Sequence, residues 1–325
     1  MNAFRNLICG AAISACCGLT GASDALAQAY PDHPIRIIVP YAAGGSTDVA
    51  ARVVAANLSR TLGQRVYVEN KSGANGEVGA EFAAKSAPDG YTILLASDSL
   101  LSNPYTLKTN KDVLKDMVPV IELSRQPIVL VVNPSLGVNS LAELIALAKQ
   151  KPGLRYATGS GIGSPQHIVV QWFARLAGVK LQQVPYRGGG QAINDLIAGH
   201  VTIGSLGATP VIPHHKAGTL RILAQTTETR SPSLPEVPTY QEAGIKGLVL
   251  DQWIGVFVPT GTPAAIIERL NTEIGRALAD PSVSQLLLQQ AQQPVGGSAT
   301  QFSHLIYKDA AMYERLAKEL SADGH

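Results

Sequence analysis

The residues in this sequence best suited to hold a small anion sit in four glycine-containing turns. The first is Pro40-Tyr41-Ala42-Ala43-Gly44-Gly45-Ser46-Thr47-Asp48. Adjacent glycines let backbone N–H groups come close to a ligand, and a helix start behind them favours negative charge. Tyr41 can cover the ligand's apolar part. The other reading is an ordinary strand-to-helix turn in which Ser46 or Asp48 only caps the helix. The second turn is Gly159-Ser160-Gly161-Ile162-Gly163-Ser164-Pro165-Gln166-His167. Ser164 reads as an N-cap and Pro165 as the first helical residue, so the residues before them offer free N–H groups. His167 is either a ligand contact or a helix-face residue. In the third turn, Tyr186-Arg187-Gly188-Gly189-Gly190, Arg187 either pairs a carboxylate bidentately or faces solvent. The fourth is Gly207-Ala208-Thr209-Pro210. All four stand at the carboxyl ends of predicted strands, where open α/β sheets bind ligands.

Signatures of other chemistry are missing. No serine sits in G-x-S-x-G, there is no H-E-x-x-H, and the seven histidines have no metal-ligand spacing. The second turn lacks the Gly-Lys-Ser/Thr of a phosphate-binding loop and the third glycine of a dinucleotide fingerprint. Asp48 and Asp98 have no spacing that marks an acid/base pair over capping and solvation. The sequence therefore predicts no catalytic residue, no metal and no cofactor.

Alternating strand and helix patterns position these turns. A β-branched run over 35–39 leads through the first turn into a helix whose apolar face is Val49, Val53, Val54, Leu58 and Leu62. Strands over 65–69 and 91–96 flank a short helix over 79–85. Residues 119–132 read as a long strand broken in its middle by Arg125-Gln126-Pro127. A second series follows: helix 141–150, strand 155–158, helix 165–177, strand 180–184, helix 191–198, strand 201–205, a helical turn near 210–216 and strand 220–225. Residues 229–246 read as a surface connection, 253–258 as a strand, and 263–278, 282–290 and 300–320 as three closing helices. Such alternation means βαβ units and parallel sheets. Two series linked by two long strands predict two α/β lobes with a cleft: 28–125 plus 251–325 in one lobe, and 126–250 in the other.

The chain has 325 residues, 46% hydrophobic and 15% charged, with 26 basic and 24 acidic side chains giving a net charge of +2. With no basic block, a nucleic-acid-binding face is not expected. Residues 1–27 read as an export signal: Arg5, an apolar stretch from Leu7 to Leu19, and the Ala25-Leu26-Ala27 cleavage site. Its removal takes away Arg5 and Asp24 and leaves the charge at +2. All three cysteines (Cys9, Cys16 and Cys17) lie inside it, so the mature chain has no disulfide and no thiolate chemistry. Ile13-Ser14-Ala15-Cys16 offers the alternative of a lipoprotein anchored through Cys16.

Almost the whole mature length resembles the Bug or TctC family, the periplasmic solute-binding proteins of tripartite tricarboxylate transporters. The resemblance is carried by residues 38–48 followed by Ala51-Arg52, by Asn70-Lys71-Ser72-Gly73-Ala74-Asn75-Gly76, Pro88-Asp89-Gly90-Tyr91-Thr92 and Asn103-Pro104. It continues through the second turn with His167, Val184-Pro185-Tyr186-Arg187-Gly188, Pro235-Glu236-Val237-Pro238-Thr239, Trp253 and Pro259-Thr260-Gly261-Thr262-Pro263. It implies a type II periplasmic-binding-protein fold, two α/β lobes closing about a two-segment hinge on a small carboxylate. The first and second turns would hold that carboxylate from opposite lobes. Two stretches depart from the family pattern: Asp98-Ser99-Leu100-Leu101-Ser102, where the ligand's far end should lie, and Ala291-Gln292-Gln293-Pro294, which lacks the usual glycine. The candidate ligand-binding set is then Tyr41, Ala43, Gly44, Gly45, Asp48, Ser97, Asp98, Ser160, Gly161, Ile162, Gly163, Ser164, His167, Arg187, Gly188, Thr209 and Trp253. The expected partners are a di-/tricarboxylate, amino acid or aromatic acid and the membrane subunits of a transporter, the chain itself being a periplasmic monomer. A sensor feeding a membrane kinase, and an exported enzyme acting on a small acid, are the alternative readings.

Overall fold

Short β-branched runs become strands and the amphipathic runs between them become helices. The computed structural model describes residues 30–106 and 113–322; the export signal and the Cys16 alternative lie outside the described residues. β1 (Ile35–Val39) leads into α1 (Ser46–Thr61) and back through β2 (Val66–Asn70). A 3-10 turn at Ala74–Gly76 and α2 (Glu77–Ala84) precede β3 (Thr92–Ser97), which runs directly into α3 (Ser99–Thr106). β4 (Met117–Val132) is the longest strand, with 16 residues. It is followed by α4 (Leu141–Gln150), β5 (Leu154–Thr158), α5 (Pro165–Ala177), β6 (Leu181–Pro185), α6 (Gly189–Ala198), β7 (Ile203–Gly207), α7 (Ile212–Lys216) and β8 (Arg221–Gln225). The chain returns as β9 (Asp251–Pro259) and closes with α8 (Ala264–Ala279), α9 (Pro281–Gln289), β10 (Gln293–Gly296) and α10 (Ala299–Ala322).

Two sheets share β4. In the first, β2, β1 and β3 run parallel, and β9 lies antiparallel between β3 and the N-terminal half of β4. β10 covers the other edge of that half. In the second, β6, β5 and β7 are parallel, and β7 and β8 flank the C-terminal half of β4 in antiparallel register. Side chains alternate across the first sheet: Ile37 and Val39 pack on one face with Leu58 and Ile274, Ile38 on the other with Trp253 and Phe302. The second of these clusters continues through Leu130 to Tyr156 and Phe173, so one apolar core runs from sheet to sheet beneath β4.

Four expectations are corrected. The strand predicted to break at Arg125-Gln126-Pro127 is continuous. Pro127 is the last residue paired with β9, at Asp251, and the β7 pairing begins at Ile128, so the proline falls where β4 changes partners. Residues 229–246 do not merely cross the surface: Leu234, Val237, Tyr240 and Ile245 are buried. The buried Gln225 side chain ties this segment down through Leu234 O, Val237 O and the Ser231 N–H. Helix α3 is absent from the sequence reading, which assigns no element to residues 97–118. Strand β10, only four residues long and holding a proline, was equally hidden.

Candidate ligand-binding cleft

The first turn is braced from within. The Gly44 N–H donates to Asp48 Oδ2 at 3.0 Å, Arg52 donates to the same carboxylate, and Asn70 Nδ2 donates to Oδ1 at 2.9 Å. Burial raises the Asp48 pKa, but these donors outweigh it and hold the carboxyl below its usual value. Neither Ser46 nor Asp48 caps α1; Gly45 is the N-cap, with no side-chain bond, which leaves the first N–H groups of α1 unclaimed by any cap. Gly44 has φ +81° and needs its glycine, whereas Gly45 has an ordinary φ of −83°. Tyr41 is buried, its hydroxyl accepts from Ser97 Oγ at 3.0 Å, and burial pushes its pKa up to about 12, so it stays a neutral hydroxyl.

The second turn spends part of its donor set on its own helix. Ser164 caps α5 by accepting from the His167 N–H. The Gly163 N–H donates to His167 Nδ1 at 3.0 Å and the Gly159 N–H to Gln166 Oε1 at 2.7 Å. Burial lowers the His167 pKa to about 4, so the ring is neutral and buttresses the turn as an acceptor. The N–H groups of Ser160, Gly161 and Ile162 have no partner among the described residues.

The third and fourth turns show what many of the glycines are for. A Cβ on Gly188 would lie 2.5 Å from Ala42 Cβ, one on Gly190 2.6 Å from Ala43 O, and one on Gly207 2.6 Å from Ser46 Oγ. The Ala42 N–H donates to Arg187 O at 3.2 Å. These glycines let backbone from β6–β7 turns touch backbone from the β1–α1 turn, a role distinct from offering N–H groups. Beneath Gly207 lies a buried polar hub absent from the sequence reading. Gln292 Nε2 donates to Ser46 O and to Thr209 Oγ1, and its Oε1 accepts from Ser124 Oγ. Gln126 Nε2 donates to Gln252 Oε1, and Thr209 Oγ1 lies 3.1 Å from Gln126 Oε1. Gln126 and Gln252, polar residues inside mostly apolar strands, were the available signal.

The turns enclose two cavities. The inner one, about 30 Å³, is lined by Tyr41, Gly45, Ser46, Thr47, Ser97, Gly159, Ser160, Gln166, Gly189, Gly207, Pro210 and Gln252, with no charged side chain. The outer one, about 330 Å³, shares Tyr41 and Ser160 and adds residues 73–76, Gly161, Ile162, Pro185, Tyr186 and Arg187. Arg187 is exposed, and its guanidinium has no partner among the described residues. Ala43, Gly44, Asp48, Asp98, Gly163, Ser164, His167, Gly188, Thr209 and Trp253 line neither cavity. Trp253 packs edge-on to Phe302 and donates to Asp309 Oδ2 at 3.0 Å. Asp98 accepts from the Tyr313 hydroxyl at 2.6 Å, and burial holds its pKa well above the usual carboxylate value. A third cavity of about 360 Å³ lies against the crossing strands, between residues 227–233 and the α9–β10 segment, and shares nothing with the four turns. Among the described residues no group of His, Cys, Asp or Glu could hold a metal, and no helix is long and apolar enough to cross a membrane.

Known proteins share the sequence pattern and the fold. Residues 50–322 match the family described as "Tripartite tricarboxylate transporter family receptor". Protein BugT of Bordetella pertussis is 37% identical over 310 residues, covering 93% of each chain. The structure of Rhodopseudomonas palustris Rpa4515 with adipate superposes with TM-score 0.86 at 34% identity, over 90% of this chain and 98% of that one. MatC of the same species, with bound malate, gives TM-score 0.82 at 27% identity, over 89% and 100%. These neighbours share the periplasmic-binding-protein fold of two α/β lobes. On this match of sequence and fold, the chain belongs to the family of tripartite tricarboxylate transporter receptors.

Proposed function

We propose that the chain captures a small organic carboxylate between its lobes, without turning it over, and delivers it to the membrane subunits of a tripartite tricarboxylate-type transporter. The observation that carries this reading is the inner cavity, where two facing turns present unclaimed backbone N–H groups. The start of α1 supplies one set and Ser160 the other, with the Tyr41 and Ser97 hydroxyls beside them. Such a site neutralises an anion by dipoles, each helix start contributing about 0.3–2 kcal/mol. The adipate and malate held by the neighbouring structures support a carboxylate ligand. The lobes divide at residues 28–125 plus 251–325 and 126–250. The mature chain begins near Gln28 in the periplasm and acts as a monomer; intact mass of the exported protein checks the first point, and retention of Met1 or a lipid on Cys16 refutes it.

Calorimetry over mono-, di- and tricarboxylates tests the function. One-to-one binding near micromolar affinity, about −8 kcal/mol, is the expected result. Gly45→Val should weaken it at least tenfold, about 1.4 kcal/mol. The extended backbone at Gly45 accepts valine, but the added Cβ would lie 3.4 Å from Gly189 N, so its methyls crowd the facing turns where they line the inner cavity. Binding of sugars or cations alone refutes the reading.

A further inference from the structure

We propose that Gln292 is a positioning residue of the cleft: it ties the start of α1, which walls the inner cavity, to Thr209 of the second lobe, and the first turn holds a carboxylate only while that tie is made. The inference rests on the carboxylate-receptor reading and on the lobe division given with it, and adds to both. Gln292 itself lines neither cavity. It acts through Ser46.

The segment that carries Gln292 belongs to one lobe by sequence and to the other by packing. α9 ends at Gln289, and β10 returns to β4 with Gln293 opposite Arg125, both in the first lobe. Between them, Ala291 is buried in the core of the second lobe with Val211, Ile212, Leu234 and Val237. The Thr209 hydroxyl donates to Gln290 O at 2.8 Å, and Ser233 Oγ donates to Leu288 O at 2.6 Å. The turn is thus a third link between the lobes, made by packing and hydrogen bonds and set beside the hinge residue Arg125.

Gln292 completes that link toward the cleft. Its side chain is buried, and both ends of its amide are paired. The Ser46 carbonyl can only accept, which turns Nε2 toward Ser46 and Thr209 and leaves Oε1 to accept from Ser124 Oγ. The bond to Ser46 O, 2.9 Å long, joins residues 246 apart in sequence and reaches a helix start with no side-chain cap of its own. Ser46 lines the inner cavity, whose volume of about 30 Å³ leaves little room for its walls to shift. A site of preorganised donors works only when its walls are held to within about 0.5 Å. Here that restraint depends on Thr209, 3.0 Å from Nε2, staying beside it.

Gln292→Met keeps the length of the side chain and removes its hydrogen bonds. Thr209→Val keeps the shape and removes the hydroxyl, which Thr209→Ser retains. Calorimetry of the mature protein with succinate, L-malate, adipate and citrate identifies an acid that the wild type binds. For that acid, Gln292→Met and Thr209→Val should each weaken binding roughly tenfold or more, and Thr209→Ser should stay within about threefold of the wild type. The double variant should bind no more weakly than the weaker single one, because both changes remove the same tie. Melting curves separate this from simple loss of packing, which lowers the melting temperature and leaves the affinity of the folded protein unchanged. Wild-type affinity in folded Gln292→Met or Thr209→Val, or losses that add in the double variant, overturns the positioning role and leaves the carboxylate reading standing. Should Gln292→Met not fold, the two Thr209 variants decide alone. No binding of any of the four acids by the wild type overturns both.

Discussion

At the scale of single residues, side-chain type was a good guide to the cavity walls and a poor one to what stands behind them. Tyr41, Gly45, Ser97, Ser160, Gly161, Ile162 and Arg187 of the expected set stand in the cavity walls because the strand-end turns put them there, while the other ten line neither cavity. His167 and Trp253 look equally suited, yet the one holds up the Gly163 turn and the other packs in the core. Gln292 escapes notice because its role depends on neighbours distant in sequence. The neutral His167 has a measurable consequence. Its folded pKa of about 4 lies below the unfolded value of about 6.5. The unfolded chain therefore binds more protons between these values, and stability falls as the pH drops through that window, being complete above it. His167→Asn keeps an acceptor for the Gly163 N–H and removes the titration. Urea melts from pH 7 to pH 4 should show a shallower loss of stability in this variant; an unchanged slope contradicts the assignment.

At the scale of elements, the parallel βα units are read correctly because each carries its own period and its own turn. What is lost are elements defined by partners: β10 exists because β4 offers an edge, and β4 survives its proline because it changes neighbours there. The departure at residues 291–294 now has a physical account. Ala291 is buried and has φ +53°, so alanine occupies a backbone conformation that suits glycine better. Left-handed conformation costs a non-glycine residue about 1–2 kcal/mol, and glycine's extra freedom in the unfolded chain returns roughly 0.5–1 kcal/mol of that. Ala291→Gly should raise stability by about 0.5–1 kcal/mol, read from the urea midpoint at constant slope. A loss of stability would mean that packing of the alanine methyl outweighs the backbone.

At the scale of the whole molecule, β4 runs from the first sheet into the second and the chain returns at Asp251, where β9 begins, so the expected closure is a rotation about residues 125–127 and 251–253. Gly188 tests whether that closure depends on backbone contact. Its φ of −177° is ordinary extended backbone, so alanine suits the local chain, but the new Cβ would meet Ala42 Cβ at 2.5 Å across the contact between the two turns. Gly188→Ala should keep the wild-type melting temperature without ligand and bind carboxylates at least tenfold more weakly, about 1.4 kcal/mol. Small-angle scattering should show the wild-type radius of gyration shrinking at saturating ligand and the variant's shrinking less. Full closure and full affinity in Gly188→Ala would remove the glycine seam from the mechanism.

The place of β9 in the first sheet also sets an order of assembly. It fills the slot between β3 and β4, yet it is made only after every strand of the second sheet. Until residues 251–259 arrive, the first sheet has a gap at its centre and two unpaired edges, which are open to wrong partners. The second sheet has no such debt: β5 to β8 and the end of β4 are contiguous in sequence, and local contacts form faster than distant ones. Refolding should therefore protect the amides of β5 and β7 before those of β1 and β3 in pulse-labelled hydrogen exchange. The strand that begins where the chain returns to the first lobe is thus the keystone set into that lobe only after the second is complete.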